Sequence, residues 1–367
     1  MVLALSSVAA GLVRRWVVAV VGLSSLVSVA QASREGELKI AELGQCKLES
    51  GGVIEDCRVG YRTFGQLDAA GDNAVLMPTW LHGRSEDLIP LFGDGSLPQQ
   101  LVDTTKFFGI AIDAFSDGVS SSPSNSVKQH ATVFPAITLR DSVNAQYRVM
   151  TEVLHLKHLH ALVGLSMGGE QTFVWSVMYP EFFDLAVPIL GTPRGTSYDL
   201  HVKQIQLEAI LGDPAYDGGH YTKEPELRLA NLIGALVVTS PEYRNRETPR
   251  DEMPTFLTQA GAQQSIDAND RVWQLRAIMK YDLIGDRTIA ETARSTKAHF
   301  LVIVSAKDRL VNPQPALDWA KALGAPTYVS QGDCAHIIMS CDAAAVSMRV
   351  KAFLMDGKLP QSMLESK

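Results

Sequence analysis

Short apolar runs recur along the chain within stretches of seven or eight residues: AVLMPTW (74–80), FFGIAID (107–113), HALVGLS (160–166), LAVPILG (185–191), HFLVIVSA (299–306) and PTYVSQGD (326–333). A strand with one wet face alternates apolar and polar residues, whereas most of these stretches carry four or more apolar residues in succession. That pattern predicts strands buried on both faces, as in a parallel sheet covered by helices. Between the runs lie RDSVNAQYRVMTEVLHL (140–156), GGEQTFVWSVMYP (168–180), PALDWAKALG (315–324) and DAAAVSMRVKAFLM (342–355), whose apolar residues recur at helical spacing. Strand and helix patterns therefore alternate, which predicts a doubly wound α/β sheet. Ahead of them, RVGYRTFGQL (58–67) is strand-like, and Gly51-Gly52 between two strand-like stretches predicts a hairpin.

Residues 195–290 break the rhythm. They are rich in helix formers and charge, as in KEPELRLANLIGALVV, and hold no convincing strand. A segment of about 95 residues is too long for a loop and is expected to form a helical cap over the C-terminal edge of the sheet, where open α/β sheets bind ligands. The expected organisation is a signal at 1–32, an α/β core at 33–194 and 291–367, and the cap at 195–290.

Composition narrows the function. With 46% hydrophobic residues over 367 positions the chain can bury a large core, and its net charge of −7, with scattered Lys and Arg, argues against nucleic acid as a partner. Arg14 and Arg15 precede an apolar run (16–30) that closes on Ala30-Gln31-Ala32. This reads as an export signal cut after Ala32, the alternative being an uncleaved membrane anchor, for which the run is short. The arginine pair hints at the twin-arginine route, which the surrounding residues support poorly. Export permits disulfides, and the four cysteines form two close pairs, Cys46 with Cys57 across the hairpin and Cys334 with Cys341 around His336. Zinc-like ligand spacing is missing, so no metal is expected.

The chemistry concentrates in LVGLSMGGEQ. Gly164-Leu165-Ser166-Met167-Gly168 is a G-x-S-x-G pattern placed directly after a strand and before a helix. Gly164 and Gly168 suit a turn too tight for a Cβ, with Ser166 strained and exposed at its tip. A serine hydroxyl needs a base, and the base needs an orienting carboxylate. In α/β-hydrolases the acid follows a late strand and the histidine lies in the last strand-to-helix loop. Asp308 ends LVIVSAKD and His336 follows PTYVSQGDCA. Asp333 competes for the acid, but it stands only three residues from the histidine, and Asp308 is preferred. The other histidines lie before the nucleophile, in the cap or at a strand edge, with His155, His158 and His160 read as one solvent-facing helix end. The oxyanion donors are expected to be the backbone N–H groups of Met167 and of Leu81 in TWLHG.

With these residues in place the chain resembles the homoserine O-acetyltransferase family of α/β-hydrolases from about Gly60 to Phe353. The likeness rests on YRTFGQLDAAGDNAVLMPTWLHG, FPAITLRDSVNAQYRVM, LVGLSMGGEQTFVWSVMYPEFFDLAVPILGTPR, MKYDL and SAKDRLVNP. The resemblance implies an α/β-hydrolase fold with nucleophile Ser166, acid Asp308, base His336 and oxyanion donors Leu81 and Met167. It also implies two losses. An arginine that holds the homoserine carboxylate in that family falls on Asn231, and an aspartate that meets the ammonium falls on Ile337. The glycine-rich stretch expected after FFGIAID is altered as well, to AFSDGVSSSPSNS.

The expected function is therefore a periplasmic or secreted serine hydrolase that cleaves a small-molecule carboxylic ester through an acyl-enzyme, with an Ile- and Leu-lined pocket, no cofactor and no stable membrane insertion after signal cleavage. Pairing of copies through the cap fits the same reading. The alternatives are acyl transfer to an alcohol other than homoserine, and a non-catalytic binding protein on the same scaffold.

Overall fold

The computed structural model of the protein describes residues 35–262 and 266–364; the expected export signal lies outside them. Strands β1 (Lys39–Lys47) and β2 (Val53–Phe64) form an antiparallel hairpin. The turn closes where Leu48 N donates to Gly52 O at 2.9 Å and Gly51 takes a φ of +81°, a conformation that costs glycine least. Two register shifts in β1 place Cys46 opposite Ile54 and Cys57 opposite Gly44, and the Cys46–Cys57 disulfide closes with its Cα atoms 5.6 Å apart.

Next come β3 (Ala74–Pro78), a two-residue pair β4 (Phe92–Gly93) and β5 (Val102–Asp103) forming its own small parallel sheet, β6 (Phe108–Ile112), β7 (Leu159–Leu165), β8 (Phe183–Ile189), β9 (His299–Phe300), β10 (Val302–Ser305) and β11 (Thr327–Ser330). The main sheet runs β1-β2-β6-β3-β7-β8-β10-β11, with β9 also paired to β8. From β6 onward every pairing is parallel. The α/β-hydrolase fold is the result, a mostly parallel sheet between helices.

The apolar runs serve two cores. Ala74, Leu76, Leu162, Ala186, Val302 and Val304 join one buried cluster, while their neighbours Val75, Met77, Ala161, Val163, Val187 and Ile303 join the other. Because successive side chains point to opposite faces, a strand covered on both must be apolar throughout.

Helix α1 (Leu139–Arg148) starts at a capping box in which Thr138 N donates to Asp141 Oδ2 at 2.8 Å and Asp141 N to Thr138 Oγ1 at 3.2 Å. It ends earlier than expected, passing into a single wider turn at Val149–Val153. Helix α2 (Met167–Met178) follows β7 and is buried almost all round. Between β8 and β9 the chain is helical: α3 (Ser197–Leu211), α4 (Arg228–Val237), α5 (Pro241–Glu247), α6 (Met253–Ala262), α7 (Ala268–Met279) and α8 (Ile289–Arg294). There α3 packs on α4 and α7, and α4 packs on α6. Helices α9 (Gln314–Leu323) and α10 (Ala343–Asp356) complete the layers. No helix among the described residues is long and apolar enough to cross a membrane.

One local expectation fails. His155, His158 and His160 do not share a helix end. His160 lies in β7, its ring stacked on Phe107 at 5.0 Å and its Nε2 2.6 Å from the Leu354 carbonyl, while His158 meets Asp184 at 3.1 Å. The strand begins at Leu159, between the second and third of them.

Candidate active site

Strands β3, β7, β8, β10 and β11 all end at one edge of the sheet, and the loops leaving them carry the expected site. Ser166 stands between β7 and α2 with φ 54° and ψ −122°, a left-handed conformation for a residue with a Cβ. Such strain persists only where the surroundings hold it. Here Ser166 N donates to Ile189 O at 2.8 Å, and Ser166 O accepts from Glu170 N at 3.0 Å. The two glycines allow the turn to close. A Cβ at Gly164 would sit 2.6 Å from Thr172 Oγ1 and closer still to the Gly168 carbonyl, and one at Gly168 would collide with the Pro78 carbonyl oxygen.

His336 Nε2 lies 2.8 Å from Ser166 Oγ, and His336 Nδ1 lies 2.7 Å from Asp308 Oδ2. The Asp308 side chain is only 1% exposed and that of His336 9%. The other Asp308 oxygen accepts two backbone hydrogen bonds, from Leu310 N at 2.9 Å and Val311 N at 3.0 Å. The carboxylate is thus fixed at both ends. Asp333, the rival acid, faces away: its carboxylate pairs with Arg246, Nη2 to Oδ1 at 3.2 Å, and that cation holds it below the usual carboxylate range.

The loop after β3 is pinned from several sides. Thr79 N donates to Ile112 O at 3.0 Å, Gln171 Nε2 to Thr79 O at 2.9 Å, Gly83 N to Trp80 O at 3.0 Å and Ser85 Oγ to Asp113 Oδ2 at 2.8 Å. Among the described residues no acceptor takes the backbone N–H of Leu81 or of Met167. Met167 heads α2, where the first N–H groups have no intrahelical partner. The donors are therefore free for another acceptor. The carboxyl that anchors Ser85 belongs to a buried pair: burial pushes Asp113 up to about 6, and Asp117 is raised further by burial and by Asp113 itself.

The loop that carries His336 is braced twice. Cys334 and Cys341 are joined, Cα atoms 6.1 Å apart, on either side of His336. On its other flank the loop bonds to the helical insertion, His336 N to Val238 O at 3.0 Å and Ser240 N to Asp333 O at 3.3 Å, beside the Arg246 ion pair. Asp333, Cys334 and Cys341 are close enough to hold a metal, but with both sulfurs in the disulfide only a carboxylate is left to bind one.

Some residues of the site had no sequence signal. Gln274 of α7 accepts from His82 N at 2.8 Å and donates to Phe115 O at 3.0 Å, tying the insertion to the loop that carries Leu81. One turn earlier Arg271, also buried, donates from Nη1 to Asn231 Oδ1 at 2.7 Å. Asn231 is thus engaged with a neighbouring cation. Four polar residues of α7, Asn269, Asp270, Arg271 and Gln274, are buried beside Val272, Trp273, Leu275 and Ile278 of the same helix. Asn269 donates to Gly219 O and Gln274 to Phe115 O, and Asp270 accepts from Ser124 N, each at 3.0 Å, so three of them serve backbone groups of the surrounding loops.

No family model matches the chain. A probable esterase of Corynebacterium glutamicum is 33% identical over 225 residues, 60% of this chain and 64% of that protein, so the match spans less than two thirds of its length. A homoserine O-acetyltransferase of Moorella thermoacetica is 31% identical over 277 residues, 66% of this chain and 74% of that enzyme. The solved structure of the acetyl esterase MekB superposes with a TM-score of 0.79 at 25% identity, covering 90% of this chain and 98% of that one. The chain belongs to the family of α/β-hydrolases that includes the homoserine O-acetyltransferases.

Proposed function

We propose that the protein is an exported carboxylic ester hydrolase that works through an acyl-enzyme on Ser166. The observation that carries this reading is the hydrogen-bonded chain Ser166 Oγ, His336 Nε2, His336 Nδ1, Asp308 Oδ2, with links of 2.8 and 2.7 Å, at a strained strand-to-helix turn. Ser166 Oγ attacks the ester carbonyl as His336 Nε2 takes its proton. The charge on the carbonyl oxygen is received by the N–H groups of Leu81 and Met167. His336 then protonates the leaving alcohol, water attacks the acyl-serine by the same route, and the acid departs. Asp308 holds the imidazole in the tautomer that leaves Nε2 able to accept. Two of the proteins named above, a probable esterase and an acetyl esterase, support ester cleavage. Two disulfides together with the N-terminal pattern support export, and the helical insertion is proposed to cap the site.

Purified protein should hydrolyse 4-nitrophenyl acetate and label at Ser166 with a fluorophosphonate. Ser166→Ala should do neither, and unlabelled yet active enzyme would overturn the scheme. A second reading, acyl transfer, is favoured by the transferase among the relatives. Asn231 and Ile337 stand where that family's homoserine clamp is expected, which speaks against homoserine as the acceptor. Net formation of new ester when simple alcohols are added, at the expense of free acid, would decide for transfer.

A further inference from the structure

The guanidinium of Arg271 is out of place in the structure as it stands. Its residue is 5% exposed, yet the one acceptor it meets among the described residues is the neutral Asn231 Oδ1, taken by Nη1, and its buried Nε has none. It makes no ion pair among the described residues. The charge of Glu224 reaches it, but Glu224 Oε1 is committed to Ala268 N at 2.7 Å, and burial together with Asp267 pushes that carboxyl up to about 7. Buried cations are ordinarily paired. A buried guanidinium held by one neutral side chain is suited to take an anion.

Its position says where the anion comes from. Arg271 is one turn before Gln274, whose side chain holds His82 N beside Leu81, and its partner Asn231 lies on α4, which runs into Val238, the residue whose carbonyl holds His336 N. The guanidinium therefore bridges the two helices that touch the oxyanion loop and the His336 loop. Beside it the buried His82 Nε2 also lacks a partner, and burial and the Arg271 charge hold that imidazole neutral.

We propose that Arg271 is the anion receptor of the substrate site and that the enzyme takes esters bearing a second, free carboxylate, which the guanidinium fork grips from the cap side. This rests on the ester hydrolase reading above. The test compares kcat/KM for matched pairs: 4-nitrophenyl hydrogen glutarate against its methyl ester for a carboxylate on the acyl side, and acetoxyacetate against methyl acetoxyacetate for one on the alcohol side. Wild type should prefer the anionic member of one pair by roughly tenfold or more. Arg271→Met should erase that preference and Arg271→Lys keep part of it. An anionic-to-neutral ratio near one in wild type, or one unmoved by Arg271→Met, overturns the proposal. A readout without catalysis separates the two ideas. In Ser166→Ala protein, glutarate should raise the melting temperature more than the neutral glutaramide does, and the added Arg271→Lys change should weaken that difference. If no ester is cleaved, the hydrolase reading fails and the glutarate shift alone decides the receptor. If Arg271→Met does not fold, Arg271→Lys carries both comparisons.

Discussion

Replacing Asp308 with asparagine changes one atom, and the surrounding hydrogen bonds dictate where it goes. Oδ1 accepts from Leu310 N at 2.9 Å and Val311 N at 3.0 Å. An amide nitrogen there would face two donors, so the asparagine must keep its oxygen at that end and turn its NH2 toward His336. Nδ1, now 2.7 Å from a carboxylate oxygen, would then have to accept. The ring proton moves to Nε2, the atom 2.8 Å from Ser166 Oγ, and the imidazole can no longer take the serine's proton. The wrong tautomer costs about 10⁴ in kcat, or about 5.5 kcal/mol in the barrier. Shape is unchanged, so the variant should fold, with circular dichroism like that of wild type. The assay is 4-nitrophenyl acetate hydrolysis at pH 7.5, with Asp333→Asn as control, since that carboxylate serves Arg246. Asp308→Asn enzyme retaining more than about a tenth of wild-type kcat, or Asp333→Asn proving the more damaging change, would refute the assignment.

Gly164→Ala should destabilise by at least the 1–3 kcal/mol typical of overpacking, because the new methyl meets fixed backbone at Gly168; thermal denaturation reads this as a fall in melting temperature. Replacing Cys334 and Cys341 by serine frees a loop closed over a separation of 7 residues, worth about 2.5 kcal/mol by loop entropy, and should lower both melting temperature and kcat. The Cys46 and Cys57 double change should lower the melting temperature alone. Glu170 is buried, and burial pushes its carboxyl up to about 8, only partly offset by Lys203. Its folded value is above the unfolded one, so the contribution it makes when protonated is present below the ordinary glutamate value near 4.5 and lost as pH rises through about 8. Glu170→Gln should therefore raise the melting temperature relative to wild type at pH 9 and not at pH 5; equal differences at both pH values would contradict this.

What the sequence shows readily is whatever is written in local period or spacing. Runs such as 160–166 and 185–191 announced buried strands because both faces of β7 and β8 are covered, and G-x-S-x-G announced its turn because only glycine fits at two of its places. The two-residue strands β4 and β5 are too short to leave a period. The link from Gln274 to His82 spans 192 positions, and nothing near either residue marks it. The same holds for Arg271 and Asn231, each ordinary in its own helix until the two are brought together. The three histidines at 155, 158 and 160 show the converse error, residues read as one helix end where a strand starts.

The bonds from Val238 and Ser240 to the His336 loop, with the Arg246 pair beside them, bear on how this protein can be recombined with its relatives. An insertion that only covered a finished site could be exchanged between family members at its two ends. Here the stretch from 238 to 246 belongs mechanically to His336, so a transplanted insertion would arrive with the wrong seat for the base. Chimeras should keep their activity only when the crossover leaves that stretch with the histidine loop it supports.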